Sequence, residues 1–266
     1  MKKSTVLIIL CIIFILLLAA AGYFLFKPEG VQQSLIATTT PQVTVEQENP
    51  SITSTTTTEE NTIYSYQITV SYPIVAGLSN PVANQAINND ILRAVKSDKD
   101  SFKSGESENS EMGVGGPDSD GSTLTITYEQ QAAVSGVLSF ALTQEYYSAG
   151  AAHPGSETVA LNYDEHTGQP ITLDTLFTGN YLATLSKESS TLLTKQLGAD
   201  ADKENIASGT SADADNFAVF FPTPSGLKII FNQYQVASYA AGIQTVVIPY
   251  SHLQSVINPN GPLKGL

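Results

Sequence analysis

The residues of this 266-residue chain that could do chemistry are three histidines, twelve tyrosines and 25 acids. His153 follows the small-residue corner Ser148-Ala-Gly-Ala-Ala. His166 lies in Asp164-Glu-His-Thr-Gly168, which reads as a turn closed by glycine. His252 belongs to the last amphipathic segment. A zinc site takes three or four Cys, His or acidic ligands in fixed geometry. Asp164, His166 and His153 could converge, but no spacing demands it, and they read as solvated turn residues. Gly116-Pro-Asp-Ser-Asp-Gly121 resembles the start of a calcium loop, with Glu129 twelfth from Asp118. Its glycine is misplaced and a third early acid is missing. No metal and no cofactor is expected.

Nucleophilic catalysis finds no support. There is no G-x-S-x-G elbow, no G-x-G-x-x-G and no P-loop. No local pair among the acids is singled out for glycoside cleavage. Cys11, the one cysteine, lies in an N-terminal apolar run, so thiol chemistry is excluded elsewhere. The tyrosines carry more information. Tyr146, Tyr147, Tyr234 and Tyr239 lie in or beside irregular corners. Tyrosine joins a large apolar face to a polar tip and suits binding surfaces. It also caps the edges of cores.

Two separated segments carry a family resemblance. One is Tyr147-Ser-Ala-Gly-Ala-Ala-His153 leading into LNYDEHTGQPITLDTLF at 161–177; the other is FNQYQVASYAAGIQTVVIPYSHL at 231–253. In this order they resemble the RsiV/PdaC-type extracellular domain of unknown function, with 62–102 similar to the smaller module that precedes it. Ser238 stands where that family often has proline, and Ala151 where a second glycine is common. The resemblance implies an extracellular α+β domain. In the anti-sigma factor RsiV that domain binds lysozyme, a basic protein. In PdaC it accompanies a peptidoglycan deacetylase. Neither an anti-sigma segment nor a deacetylase segment is read in these residues, so what the resemblance implies is binding. Tyr147, His153, Tyr234, Ser238 and Tyr239 are the expected lining of that surface. The expected partners are lysozyme or another basic protein, or peptidoglycan. A cell-envelope hydrolase or deacetylase, and a structural envelope domain without ligand, are the alternatives.

Elements must position these residues. Lys2 and Lys3 precede an apolar run at 6–26, followed by Lys27 and Pro28. At 1.5 Å per residue, a helix of this length is about 31 Å long and crosses a bilayer core of about 30 Å. The lysine bias places the N-terminus in the cytoplasm and the body outside, as a single-pass cell-membrane protein. Ala19-Ala-Ala21 offers a signal-peptidase site, but the apolar run continues past it, which favours an uncleaved anchor at 1–27. Residues 28–61, rich in Thr, Gln, Glu and Pro, read as a disordered linker. Beyond residue 27 there are 9 basic and 25 acidic residues, net -16. That surface repels nucleic acid and attracts cations.

Within 62–122, a small companion module, Tyr64 to Tyr72 alternates as a strand closed by Pro73. Asn80-Pro81 starts a helix with Val82, Ile87, Ile91, Leu92, Val95 and Phe102 on one face, and 103–122 reads as a loop. Within 123–266, strands are expected at 123–128, 133–147, 157–163 and 243–248, with a hairpin of 217–221 and 227–231. Helices are expected at 180–197 and 250–257. Without βαβ alternation the class is α+β, a mixed, largely antiparallel sheet with flanking helices.

Overall fold

The computed structural model describes residues 50–113 and 121–266. The anchor expected at 6–26, linker residues 28–49 and Gly116 to Asp120 of the calcium-like loop lie outside the described residues. Among the described residues no helix is long and apolar enough to cross a membrane.

Strand β1 (Ser51–Asn61) pairs antiparallel with β2 (Tyr66–Ala76) over its whole length. This corrects the expectation of a disordered linker through residue 61. Ser51-Ile-Thr-Ser-Thr-Thr-Thr-Thr cannot build a core alone, but an edge strand needs only a partner and β-branched residues. Thr56 and Ser71 join hydroxyls at 2.8 Å across this pair. The Asn61 side chain closes the turn by accepting from the Ile63 and Tyr64 N–H groups, each at 3.0 Å. Lys99 holds Glu59 at 3.0 Å, and Lys103 also pairs with it. Hydrogen bonds from Lys103 and Lys99 keep the Glu59 carboxyl below its ordinary range.

β2 runs on through Pro73. Only Tyr66–Val70 are also flanked by β3 (Ser122–Gln131), so Pro73 falls where β2 has one neighbour and the missing N–H is tolerated. The β2–β3 pairing is parallel. The crossover carries helix α1 (Pro81–Glu111), capped by Asn80, whose side chain accepts from the Val82 N–H at 3.0 Å. Its face of Ala83, Ile87, Ile91 and Val95 is buried on the sheet, while Val82 and Leu92 are exposed. α1 extends well into the expected loop. The apolar period stops at Phe102 because the next buried position is Glu106, a carboxylate rather than a hydrocarbon.

β4 (Val137–Tyr147) and β5 (Gly155–Asp164) complete an antiparallel meander, giving the order β1-β2-β3-β4-β5. The sheet runs without a break across 122/123, where two modules were expected to meet. One face buries Ile68, Leu124, Phe140, Leu142 and Tyr163 under α1. Burying such side chains contributes about 1.5–3 kcal/mol each.

A single-turn helix α2 (Leu173–Leu176), α3 (Tyr181–Leu197) and α4 (Lys203–Gly209) follow. They lead to a second sheet, β6 (Phe220–Thr223), β7 (Gly226–Phe231) and β8 (Gln244–Ile248), all antiparallel, and then to α5 (Tyr250–Leu253). The expected hairpin across Thr223-Pro-Ser-Gly226 is present. Leu185 and Leu193 of α3 join Phe231, Val246 and Ile248 in a second core. Asn162, buried in β5, ties the sheets together. Its amide donates to the Phe220 carbonyl at 2.8 Å and its oxygen accepts from Ser139 at 2.6 Å. The α+β class and the mixed, largely antiparallel pairing hold, with two sheets rather than one.

Candidate functional site

The loop from β4 to β5 (148–154) and the loop from β7 to β8 (232–243) meet through aromatic rings. The Tyr239 hydroxyl donates to the Pro154 carbonyl at 3.1 Å. His153 stacks on Tyr239 with centroids 4.0 Å apart and planes at 27°. Tyr234 lies 5.6 Å from Tyr239 at 34°. His153 Nδ1 is 3.1 Å from the Pro154 carbonyl, which only accepts, so a neutral ring carries its proton on Nδ1. Nε2 then accepts from the Tyr234 hydroxyl at 3.3 Å. Both nitrogens are therefore engaged, with no serine, threonine or carboxylate side chain on either.

Tyr146 adds a fourth ring. It pairs in register with Gly155 and lies over it. A Cβ on Gly155 would sit 2.3 Å from the phenol Cζ, so glycine is what lets the ring lie flat there. Tyr146, His153, Tyr234 and Tyr239, with Glu157 and Gln233, line a cleft of about 380 Å³.

Three of the five expected residues thus come together: His153, Tyr234 and Tyr239. The cleft does not include Tyr147 or Ser238. Successive strand side chains point to opposite faces, so only one of Tyr146 and Tyr147 can reach the cleft, and it is Tyr146. Ser238 is exposed and opens the 3-10 turn Tyr239–Ala241, where its carbonyl accepts from the Ala241 N–H at 3.0 Å. Glu157 and Gln233 carried no sequence signal. The identity of the Tyr146 partner, Gly155, depends on register, which composition does not reveal.

The supports of the cleft are polar. Glu106 is buried and accepts from Ser122 at 2.6 Å and Ser148 at 2.8 Å. Ser122 Oγ in turn accepts from the Ala149 N–H at 2.9 Å. This fixes the root of the 148–154 corner to α1. On the other loop, Asn232 exchanges two hydrogen bonds with the Thr158 backbone, at 2.9 and 3.1 Å, and the Gln233 side chain accepts from the Ser156 N–H at 3.1 Å. These side chains occupy ladder positions on β5, an edge strand. Gln235 donates to the carbonyls of Gly209 and Asn216. The loop is clamped from both sides, and Tyr234 between the clamps has φ 66° and is 59% exposed. A non-glycine residue held in that region costs about 1–2 kcal/mol.

Near the cleft, Asp98 of α1 faces Gln144 and Glu157, which are register partners on β4 and β5. Burial pushes its carboxyl from 3.8 up to about 6; the hydrogen bond with Gln144 opposes the shift and the charge of Glu157 adds to it. Its Oδ2 is buried without a hydrogen-bond partner. Because the folded value is raised, the stability Asp98 contributes is fully present below about pH 4 and is lost as pH rises through about 6. Urea unfolding midpoints measured between pH 4 and 7 are expected to fall across this window. Asp98→Asn is expected to flatten that fall, and an unchanged slope would contradict the assignment. Among the described residues, no group of three or more His, Cys, Asp or Glu is placed to hold a metal ion.

Residues 40–156 match the family model "Deacetylase PdaC", and 174–251 match "Protein of unknown function (DUF3298)". A DUF3298-family crystal structure from Bacteroides fragilis shares the fold at TM-score 0.61 and 19% identity, over 81% of this chain and 96% of that one. A DUF3298-family protein from Pseudomonas aeruginosa gives TM-score 0.56 and 14% identity, over 79% and 96%. Immunogenic proteins MPB64 of Mycobacterium bovis and MPT64 of Mycobacterium tuberculosis are each 30% identical over 114 residues. That is 42% of this chain and 49% of theirs, so the chain spans about half the length of the curated relatives it matches. The two segments match a PdaC/RsiV-type domain of unknown function, and the solved DUF3298-family structures share its fold.

Proposed function

We propose that this chain is a membrane-tethered, outward-facing binding module, and that the cleft of Tyr146, His153, Tyr234 and Tyr239 holds a glycan of the cell envelope. The observation that carries the reading is Tyr234. A large aromatic side chain is displayed to solvent on a backbone conformation that disfavours it, between two clamps that enforce it. Strain of this kind persists where the surrounding structure over-determines it, and it clusters at ligand sites. Flat rings suit the apolar faces of sugars, and Glu157 and Gln233 offer hydrogen bonds to hydroxyls.

The test is co-sedimentation of the purified full chain with peptidoglycan sacculi. Tyr234→Ala is expected to reduce the bound fraction at least tenfold; equal binding by variant and parent would refute the glycan reading. Release of soluble fragments or acetate from the sacculi would favour a hydrolase or deacetylase instead. Tyr234→Asn is expected to weaken binding while raising stability by about 0.5–1 kcal/mol, because asparagine tolerates positive φ. A urea titration of both proteins checks the second effect.

A basic protein such as lysozyme is the second reading, favoured by the formal charge of -13 and by Glu157 at the cleft. That complex would weaken steeply between low and physiological salt. It would also lose affinity in Glu157→Gln.

A further inference from the structure

A second cavity, of about 390 Å³, opens where the two family-matched segments meet. Asp90 of α1 comes from the first segment; Asp174 of α2, Tyr181 of α3 and Phe220 of β6 come from the second. Tyr163 of β5, in the chain between them, adds a hydroxyl; Asn162 and Thr172 are the other polar residues of the lining, and both ends of the Asn162 side chain are engaged by Ser139 and Phe220. A concave, largely apolar wall with a few convergent polar groups is the usual form of a small-molecule site.

The chemistry of the lining is one-sided. The Tyr163 hydroxyl donates to Asp90 Oδ2 at 2.9 Å, and the Tyr181 hydroxyl donates to Asp174 Oδ1 at 2.5 Å. Both phenol protons are thus directed at carboxylates, and what remains toward the cavity from these four groups is acceptor lone pairs. No lysine, arginine or histidine is among the lining residues. Arg93 does pair with Asp90, at Oδ1, but its side chain is 76% exposed and it does not line this cavity. Burial and then the neighbouring Asp90 raise the Tyr163 phenol well above its ordinary value, and burial and Asp174 push Tyr181 up to about 12. Both tyrosines therefore remain proton donors across the physiological range. The remaining wall is mainly hydrocarbon, with Leu173 and Phe220 buried.

An acceptor pair at the edge of an apolar wall selects a ligand with the opposite layout: a donor-rich positive head on an apolar body. We propose that this cavity binds a small organic cation, its ammonium group on the carboxylates of Asp90 and Asp174 and its apolar body against Leu173 and Phe220. A neutral polyol would leave the apolar wall without a partner, and an anion would meet two like charges. The site shares no lining residue with the aromatic cleft.

The probe is phenethylamine, titrated calorimetrically into the full chain, with 2-phenylethanol as its uncharged counterpart. The amine is expected to bind in the millimolar range and the alcohol at least tenfold more weakly. Asp174 is exposed, so Asp174→Asn tests the carboxylate without disturbing the core; it is expected to cut amine affinity at least fivefold with an unchanged circular dichroism spectrum. Asp90→Asn is the second variant and is expected to act in the same direction. Equal affinity for amine and alcohol, absence of amine binding, or amine affinity unchanged in both variants would overturn the proposal.

Discussion

Glu106→Ala is expected to lower the unfolding free energy by about 3 kcal/mol, read from urea denaturation at neutral pH. Hydrogen bonds to charged groups contribute about 1.5–3 kcal/mol each, and Glu106 accepts two. Alanine would leave the buried Ser122 hydroxyl and the half-buried Ser148 hydroxyl without their acceptor. Relief of the buried carboxylate itself offsets part of the loss. Glu106→Gln keeps an acceptor oxygen and presents an amide to a hydroxyl that can rotate to accept, so it is expected to cost only about 1 kcal/mol. The same variant tests the cleft. Ser122 holds Ala149, and Ser148 begins the corner that ends in His153, so the proposed glycan binding should be weaker in Glu106→Ala under conditions where the variant is still folded. Equal stability of the Ala and Gln variants would show that the hydrogen bonds Glu106 accepts do not anchor the corner.

Gly209→Ala is expected to destabilise by about 2–3 kcal/mol, as overpacking of a tight contact does. A Cβ at this position would sit 2.0 Å from the Gln235 carbonyl oxygen and 2.8 Å from Val236 Cγ1. The former is backbone and cannot turn aside, so the 232–236 segment must retreat from α4. Gln235 would then lose its grip on the Gly209 carbonyl. Since Gln235 is one of the two clamps that hold Tyr234, the substitution should weaken the proposed glycan binding without touching a cleft residue. Ser208→Ala, one residue away and exposed, is the control; it should leave both binding and unfolding close to those of the parent. A full-affinity Gly209→Ala protein would place the rigidity of Tyr234 elsewhere.

The two sites differ in how much the sequence disclosed. Tyr234 and Tyr239 were legible because an aromatic, small-residue stretch interrupts two apolar strands, an arrangement that a core does not need. His153 was legible from its position after a run of small residues. Tyr146 and Tyr147 were both visible, yet choosing between them required the strand phase at Gly155. Glu157 was invisible because an acid on an alternating strand reads as ordinary solvent exposure. The inter-segment cavity was hidden altogether, since Asp90 and Asp174 are far apart in the chain and each alone looks like a solvated surface acid. Glu106 was misread for a related reason: a buried carboxylate breaks the apolar period, and a broken period reads as the end of a helix.

By itself the sequence determined the α+β class, the location of most helices and strands, and the aromatic composition of the two corners. These follow from local periodicity and from glycine and proline punctuation, which act over a few residues. Tertiary structure alone decided that a threonine-rich segment becomes the edge strand β1, because its stability comes from backbone pairing with β2 rather than from its own side chains. It also decided which rings face the cleft and that Tyr234 is held at positive φ, because register and the side-chain clamps of Asn232, Gln233 and Gln235 onto the backbone of β5, Gly209 and Asn216 set both.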